Sequence, residues 1–300
     1  MIYNPNLEKP KGTFVEATIS QLYYIINTVG LLELFIKITT NYPDYRKTKY
    51  KKADLVYTNT DTINEGDIFH IYSLKNNGKQ VEYWYRVQEA ITTKKPYPVN
   101  GIPEECPICK SHISIIKGKA YCNNSTCPGI LFTAIKRYLV LGAKLDLTLS
   151  EYSVLKKLIF MNKVKCVSDL YHVSLPELES IWYYETRDES DAINFYNKIQ
   201  STLGNVEVTH YLYSLPFFKE DENYNIYIST TFMSEIKTMS NFLNWLQETD
   251  TLLNSNNSNL QFIDIESKIS QEFYELLIDY FSIEDNVQEA LYLEEIKLFK

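Results

Sequence analysis

Four cysteines are written into one short stretch as Cys106-Pro-Ile-Cys109, then twelve residues, then Cys122-Asn-Asn-Ser-Thr-Cys127. Two close pairs separated by a hairpin-length insert deliver four thiolates to one tetrahedral ion from two knuckles, the pattern of a Zn2+ site. The same cysteines could close two disulfides, but those belong to oxidising compartments. The N-terminal run MIYNPNLEKPKG has no basic start followed by an apolar stretch, so no signal peptide is read there. No run reaches the ~18 apolar residues that a membrane span requires. The expectation is therefore a reduced, cytoplasmic chain without a membrane partner, holding Zn2+ through Cys106, Cys109, Cys122 and Cys127. Four sulfurs close the coordination sphere and leave no place for a catalytic water, so the metal is expected to be structural. His112, inside the insert, is read as a bystander, and Cys166, in the run KVKCVSDLY, as a small core residue.

Charge divides the chain. The net charge is -8 over 300 residues, but residues 1–145 carry 19 Lys/Arg against 12 Asp/Glu, giving +7, and residues 146–300 carry 11 against 26, giving -15. A basic half around the cysteines is the footprint of phosphate contact, whereas a phosphate backbone repels the acidic half unless its charges face away. Candidate contacts are Lys110, Lys117 and Lys119 in the cysteine insert, with Lys136 and Arg137 just after it. The densest basic run is Arg46, Lys47, Lys49, Lys51 and Lys52, read as a loop; it is the stronger group because clustering raises the local potential. An ordinary solvated surface is the competing account of each lysine singly.

The texture changes along the chain. From Gly12 to Glu89, short alternating runs such as DIFHIYS and VEYWYRV are separated by turn signals, among them Asn64-Glu65-Gly66 and Asn76-Asn77-Gly78. Five or so strands predict a small barrel or sandwich over 1–95, with Trp84 in its core rather than stacking on bases. Lys94-Lys95-Pro96-Tyr97-Pro98 reads as an extended linker into a cysteine module at 96–130. From 131 to 300 the period is helical, with helices expected at Ile130–Leu141, Glu151–Phe160, Asp191–Leu203, Thr231–Leu246 and Ser270–Phe281 and a polar loop starting at Asn254. The fold class is multidomain α+β.

Several segments carry a family resemblance. Pro103-Glu-Glu-Cys106-Pro-Ile-Cys109-Lys-Ser resembles a P-x-x-C-P-x-C-G-S motif, and Cys122-x4-Cys127-Pro128 resembles C-x-N-x-x-C-P. Leu141-Gly142-Ala143-Lys144-Leu145-Asp146 is similar to RGAMDI, and Val164–Tyr171 followed by Ser174-Leu-Pro-Glu-Leu is similar to VKDVADLYxLTxEDL. Ile63-Asn-Glu-Gly66-Asp67 resembles IRIGD. Together they resemble the C-terminal half of bacterial-type NAD+-dependent DNA ligases. The resemblance implies an N-terminal oligonucleotide-binding (OB) barrel, a four-cysteine zinc module and a C-terminal all-α helix–hairpin–helix array.

The departures shape the functional expectation. The ligase family needs a lysine in K-x-D-G to accept AMP, and none occurs; the nearest string is Lys52-Ala-Asp54-Leu55. The family's VGRTG turn is replaced by Ile26-Asn-Thr-Val-Gly30, without its arginine. Helix–hairpin–helix units hold phosphate on the amides of a glycine hairpin at a helix N-terminus. Between residues 143 and 300 Gly204 is the sole glycine, and Leu147–Glu151 and Asp264–Lys268 stand at expected hairpins. The resemblance thus implies a non-catalytic, DNA-clamping ligase subunit acting on nicked duplex DNA beside a separate adenylating chain, through which NAD+ and Mg2+ enter. A stand-alone zinc-containing DNA-binding or architectural protein, and a zinc-ribbon transcription or replication factor, are the alternatives. The Lys-, Asn- and Tyr-rich composition is associated with AT-rich genomes; for a phage or viral source the compartment would be the host cytoplasm.

Overall fold

Alternating apolar residues build strands up to Gly129, and a helical period governs the chain beyond it. A computed structural model of the chain describes residues 2–40, 49–51, 56–76, 79–92, 96–98, 100–185, 189–216, 228–229, 232, 237–254 and 268–300. Over these residues the protein is mixed α+β and divides into two units, Met1–Gly129 and Ile130–Lys300.

The strands of the first unit are β1 (Ile2–Tyr3), β2 (Val15–Ile26), β3 (Leu32–Thr40), β4 (Lys49–Lys51), β5 (Val56–Thr58), β6 (Thr62–Ile63), β7 (Ile68–Asn76), β8 (Lys79–Gln88), β9 (Tyr97–Pro98), β10 (Ile113–Ile116) and β11 (Lys119–Cys122). Seven form one curled sheet in the order β1-β5-β8-β7-β2-β3-β4. Strand β3 shows the alternation plainly: Leu32, Leu34, Ile36 and Ile38 are buried and the residues between them are not. Strand β2 does not keep one phase. A bulge between Ile19 and Gln21 shifts its register against β3, so the inward residues change from Ala17 and Ile19 to Leu22 and Ile26. Ile63, Phe69, Ile71 and Trp84 also belong to the core, and the Trp84 indole N–H donates to Glu82 Oε2 at 2.9 Å.

The turn at Asn64–Asp67 is knitted from within. Gly66 has φ 93°, a left-handed conformation that glycine adopts without penalty. The Asp67 carboxylate is fully buried and accepts the backbone N–H groups of Asn64 at 2.9 Å and Ala90 at 2.8 Å. Asn77 and Gly78 lie outside the described residues, between the paired ends Asn76 and Lys79. So does most of the run Lys94-Lys95-Pro96, of which Pro96 is described.

The short ribbon β10–β11 belongs to this first unit. The backbone N–H of Cys122 donates to the Gly30 carbonyl at 2.8 Å, and Leu31 bridges to Tyr121. Backbone pairing thus joins the cysteine segment to the sheet at the Asn27–Gly30 turn.

The second unit takes in most of α1 (Pro128–Arg137) and continues with a π-helical turn (Tyr138–Gly142), α2 (Leu149–Phe160), α3 (Asp169–His172), α4 (Leu175–Glu185), α5 (Glu189–Gln200), α6 (Val208–Ser214), α7 (Met239–Asn254), α8 (Gln271–Phe281) and α9 (Glu284–Glu295). Its core includes Trp182, Phe195, Tyr211, Phe242, Phe273, Leu277 and Leu293. Gly142 closes the π turn where a Cβ would come within 2.9 Å of Ser214 Oγ and of the Tyr138 ring, which accounts for glycine in the Leu141–Asp146 segment. Helix α7 runs eight residues past the expected end at Leu246, because nothing in Gln-Glu-Thr-Asp-Thr-Leu-Leu-Asn breaks a helix. Cys166 is half-buried rather than in the core, its Sγ 3.1 Å from Ser168 Oγ, and burial pushes its thiol up to about 11. Among the described residues no helix is long and apolar enough to cross a membrane.

Gly129 is squeezed on two sides. A Cβ there would sit 2.4 Å from Ile26 Cγ2 and 2.4 Å from Ile108 Cδ1, inside contact distance of both the sheet and the first cysteine knuckle. Gly129→Ala is therefore expected to lower stability by about 1–3 kcal/mol through overpacking, read by chemical denaturation; an unchanged midpoint would show that the two isoleucines yield freely.

Candidate metal centre

Backbone geometry converges the four cysteines. In the first knuckle the Cys106 N–H donates to the Ser111 carbonyl and the Lys110 N–H returns to the Cys106 carbonyl, both at 2.9 Å. Lys110 takes φ 63°, the left-handed position where the resembling motif has glycine. In the second knuckle the Cys127 N–H donates to the Asn124 carbonyl at 3.0 Å, while Asn124 Oδ1 accepts from the Thr126 N–H and hydroxyl. Between the knuckles, β10 pairs with β11 through Ile116↔Lys119. Lys117 (φ 50°) and Gly118 (φ 75°) form the two-residue turn, both left-handed as a type I′ hairpin demands.

The result is one cluster. The Sγ atoms of Cys106, Cys109, Cys122 and Cys127 all lie within 4.8 Å of one another. Cys109 and Cys122 are 3.6 Å apart and Cys106 and Cys127 4.0 Å. Four sulfurs about 2.3 Å from one tetrahedral ion stand about 3.8 Å from each other, so the donor set fits a metal such as zinc. Cys106, Cys122 and Cys127 are buried. Burial raises the Cys109 thiol, but hydrogen bonds from Ser111 and the neighbouring thiols outweigh it and bring Cys109 down to about 6. Burial pushes Cys122 the other way, well above the usual thiol value. A bound dication would remove that asymmetry by ionising all four. His112 is not in the cluster.

The basic candidates scatter more widely. Lys110, Lys117 and Lys119 are exposed around the ribbon, and Lys110 pairs with Glu105 at 3.4 Å. Lys136 is exposed, its Nζ 5.0 Å from the centre of the Tyr152 ring. Arg137 is half-buried and donates to the Tyr213 carbonyl at 3.3 Å, tying α1 to α6. Lys49 and Lys51 are strand residues, not loop, registered against Ile38 and Ile36 on β3. Arg46, Lys47 and Lys52 lie outside the described residues.

Four helix N-termini in the second unit are occupied by carboxylates of the chain itself. At Leu147–Glu151, Thr148 caps α2: its hydroxyl accepts the Glu151 N–H at 3.2 Å, and Glu151 accepts the Thr148 N–H at 2.6 Å. Lys198 closes on the buried Glu151 at 2.7 Å. Glu177 accepts the Ser174 N–H before α4, Glu289 the Val167 and Ser168 N–H groups at α3, and Glu294 the Ser240 N–H at α7. Burial pushes Glu289 above the ordinary carboxylate value. Such amides are where a helix would otherwise hold phosphate. Sequence reading missed these partners, although the spacings Thr148-x-x-Glu151 and Ser174-x-x-Glu177 signal two of them; Glu289 and Glu294 come from distant sequence and have no local signal. Residues 264–267 of the last expected hairpin lie outside the described residues.

Comparison with known proteins adds one functional pointer. No protein-family model matches the chain. Over 79 residues it is 28% identical to a DNA ligase of Treponema denticola, a match covering 26% of this chain and 12% of that ligase. The chain thus spans about an eighth of the length of that relative.

Two outcomes follow from the centre. The purified chain should carry one metal ion, detected by elemental analysis, and Cys127→Ser should lose it and unfold the ribbon while far-ultraviolet dichroism keeps its helical signal; full thermal stability without metal would refute the centre. Lys110→Gly should raise the stability of the first unit by up to about 1 kcal/mol, measured by chemical denaturation, because glycine removes the left-handed strain and the exposed pair with Glu105 contributes little.

Proposed function

We propose that this chain is the non-catalytic, DNA-clamping subunit of an NAD+-dependent DNA ligase, acting on nicked duplex DNA beside a separate chain that carries the adenylated lysine. The observation that carries this reading is the four-cysteine cluster, in a sequence context that resembles the ligase zinc module and in a chain with a ligase match. In this reading AMP transfer belongs to the partner chain, in keeping with the lack of a K-x-D-G string within these 300 residues.

In this reading Cys106, Cys109, Cys122 and Cys127 hold a structural Zn2+, which cross-links two knuckles and offers no open coordination position. The curled sheet corresponds to the OB barrel of the ligase family and closes over the nick. The exposed lysines of the ribbon contact phosphate, and the clamp holds the 3′-hydroxyl in line with the activated 5′-phosphate. Orientation of that kind contributes several kcal/mol to a displacement between two bound ends. NAD+ and Mg2+ act through the partner chain.

The acidic second unit takes a different part. Its charge repels a phosphate backbone, and carboxylates already fill the amides at the ends of α2, α3, α4 and α7. It descends in this reading from a helix–hairpin–helix array that has exchanged phosphate contact for contact with the adenylating chain.

Reconstitution tests the reading. Mixed with a K-x-D-G polypeptide from the same genome, NAD+, Mg2+ and a nicked duplex, the chain should raise sealing at least about tenfold over the partner alone, about 1.4 kcal/mol of barrier. By itself it should accept no AMP. A chain that neither stimulates sealing nor binds nicked duplex would overturn the proposal.

A further inference from the structure

The tip of the β10–β11 ribbon carries an exposed apolar pair. Ile115 is 60% exposed and Ile116 54%, and as successive strand residues they point to opposite faces of the ribbon. Ile113, two residues before Ile115 on the same face, is buried. Lys117 and Lys119 flank the pair, are exposed, and have no acidic partner among the described residues. The ribbon therefore ends in an apolar edge bordered by free positive charge.

That edge is held rigidly. Cys122 at the end of β11 belongs to the thiol cluster and donates its N–H to Gly30, Tyr121 bridges to Leu31, and Ser114 Oγ donates to Asn123 Oδ1 at 2.9 Å across the ribbon. The turn has the type I′ form that matches strand twist, so the tip is set without a floppy loop. β-propensity explains β-branched residues in a strand, but threonine would satisfy it at an exposed position without presenting apolar surface.

Charge selects the occupant. From Cys106 to Leu145 the sequence holds six Lys/Arg and no Asp or Glu, in a chain where acidic residues outnumber basic ones. An apolar wedge bordered by lysines is the equipment with which proteins enter a base step from a groove, the lysines holding phosphates while the wedge unstacks the bases. A nick lowers the cost of unstacking, because one backbone is already interrupted.

Resting on the ligase reading, we propose that Ile115 and Ile116 form a wedge that inserts at the base step of a nick in duplex DNA, with Lys117 and Lys119 gripping the flanking phosphates. The wedge senses the nick by its deformability and not by its base sequence.

The test uses the full chain and a nicked duplex with 2-aminopurine at the base step of the nick, whose fluorescence rises on unstacking. Wild type should raise the fluorescence severalfold on the nicked duplex and little on the intact one. Ile115→Ser/Ile116→Ser should retain metal content and melting temperature, bind within about threefold of wild type, and lose the rise. Lys117→Ala/Lys119→Ala should weaken binding and reduce the slope of log affinity against log salt by about 2. If the wild-type chain neither binds duplex nor stimulates sealing, the ligase reading falls and this inference with it; if it stimulates sealing without binding duplex, the wedge alone is overturned. If it binds but the isoleucine variant fluoresces as wild type does, the wedge alone is overturned. If the isoleucine variant keeps the fluorescence rise and instead loses capture of the adenylating chain, the tip is a protein-docking edge and the wedge is likewise overturned.

Discussion

Four sulfur atoms held within 4.8 Å of one another are the constraint around which the first unit is organised. As thiolates they repel, and as buried thiols they pack no better than small apolar residues. A cation of charge two resolves both problems and makes the free energy of binding a folding free energy. The consequence is not confined to the knuckles. The second knuckle begins on β11, whose last residue is hydrogen-bonded to the turn that leads into β3. Separating the sulfurs would loosen the edge of the ribbon, and with it the support of the sheet turn beneath. Gly129, pressed between Ile26 and Ile108, marks how closely the two have been fitted.

The second unit resolves a different electrostatic problem. An acidic helical domain must place its carboxylates somewhere, and helix N-termini offer unpaired amides and a favourable dipole. Glu151, Glu177, Glu289 and Glu294 are placed there. Two of these carboxylates come from α9, so they fix tertiary arrangement as well as helix ends. An excess of negative charge thereby becomes internal capping, while the amides stop being available to an external anion.

Much of this was legible in the sequence where the signal was local. Cysteine spacing specifies the cluster because the ligands come from two tight turns and one hairpin. Gly66 and Asp67 announce their turn because one supplies positive φ and the other a short acceptor. Trp84 reads as core because its strand alternates. What escaped was non-local or carried by the backbone. The Cys122–Gly30 bond involves no side chain, so the docking of the ribbon on the sheet has no residue signature. Glu289 and Glu294 cap helices far away in sequence. Cys166 reads as core from its apolar neighbours but sits at the margin of it, turned to Ser168. Lys49 and Lys51 read as loop because a basic run suggests exposure, yet they extend the sheet through backbone pairing to β3.

The bulge in β2 bears on descent as much as on shape. One additional residue near Ser20 changes the parity of the strand, so that buried positions fall on odd numbers before it and on even numbers after it. A relative lacking that residue would present the opposite phase from Gln21 onward while folding into the same sheet. Position-by-position comparison across the strand would then set inward residues against outward ones, and the apparent similarity would fall without any change in architecture. Kinship in this part of the chain is therefore better sought in strand order and register than in residue identity.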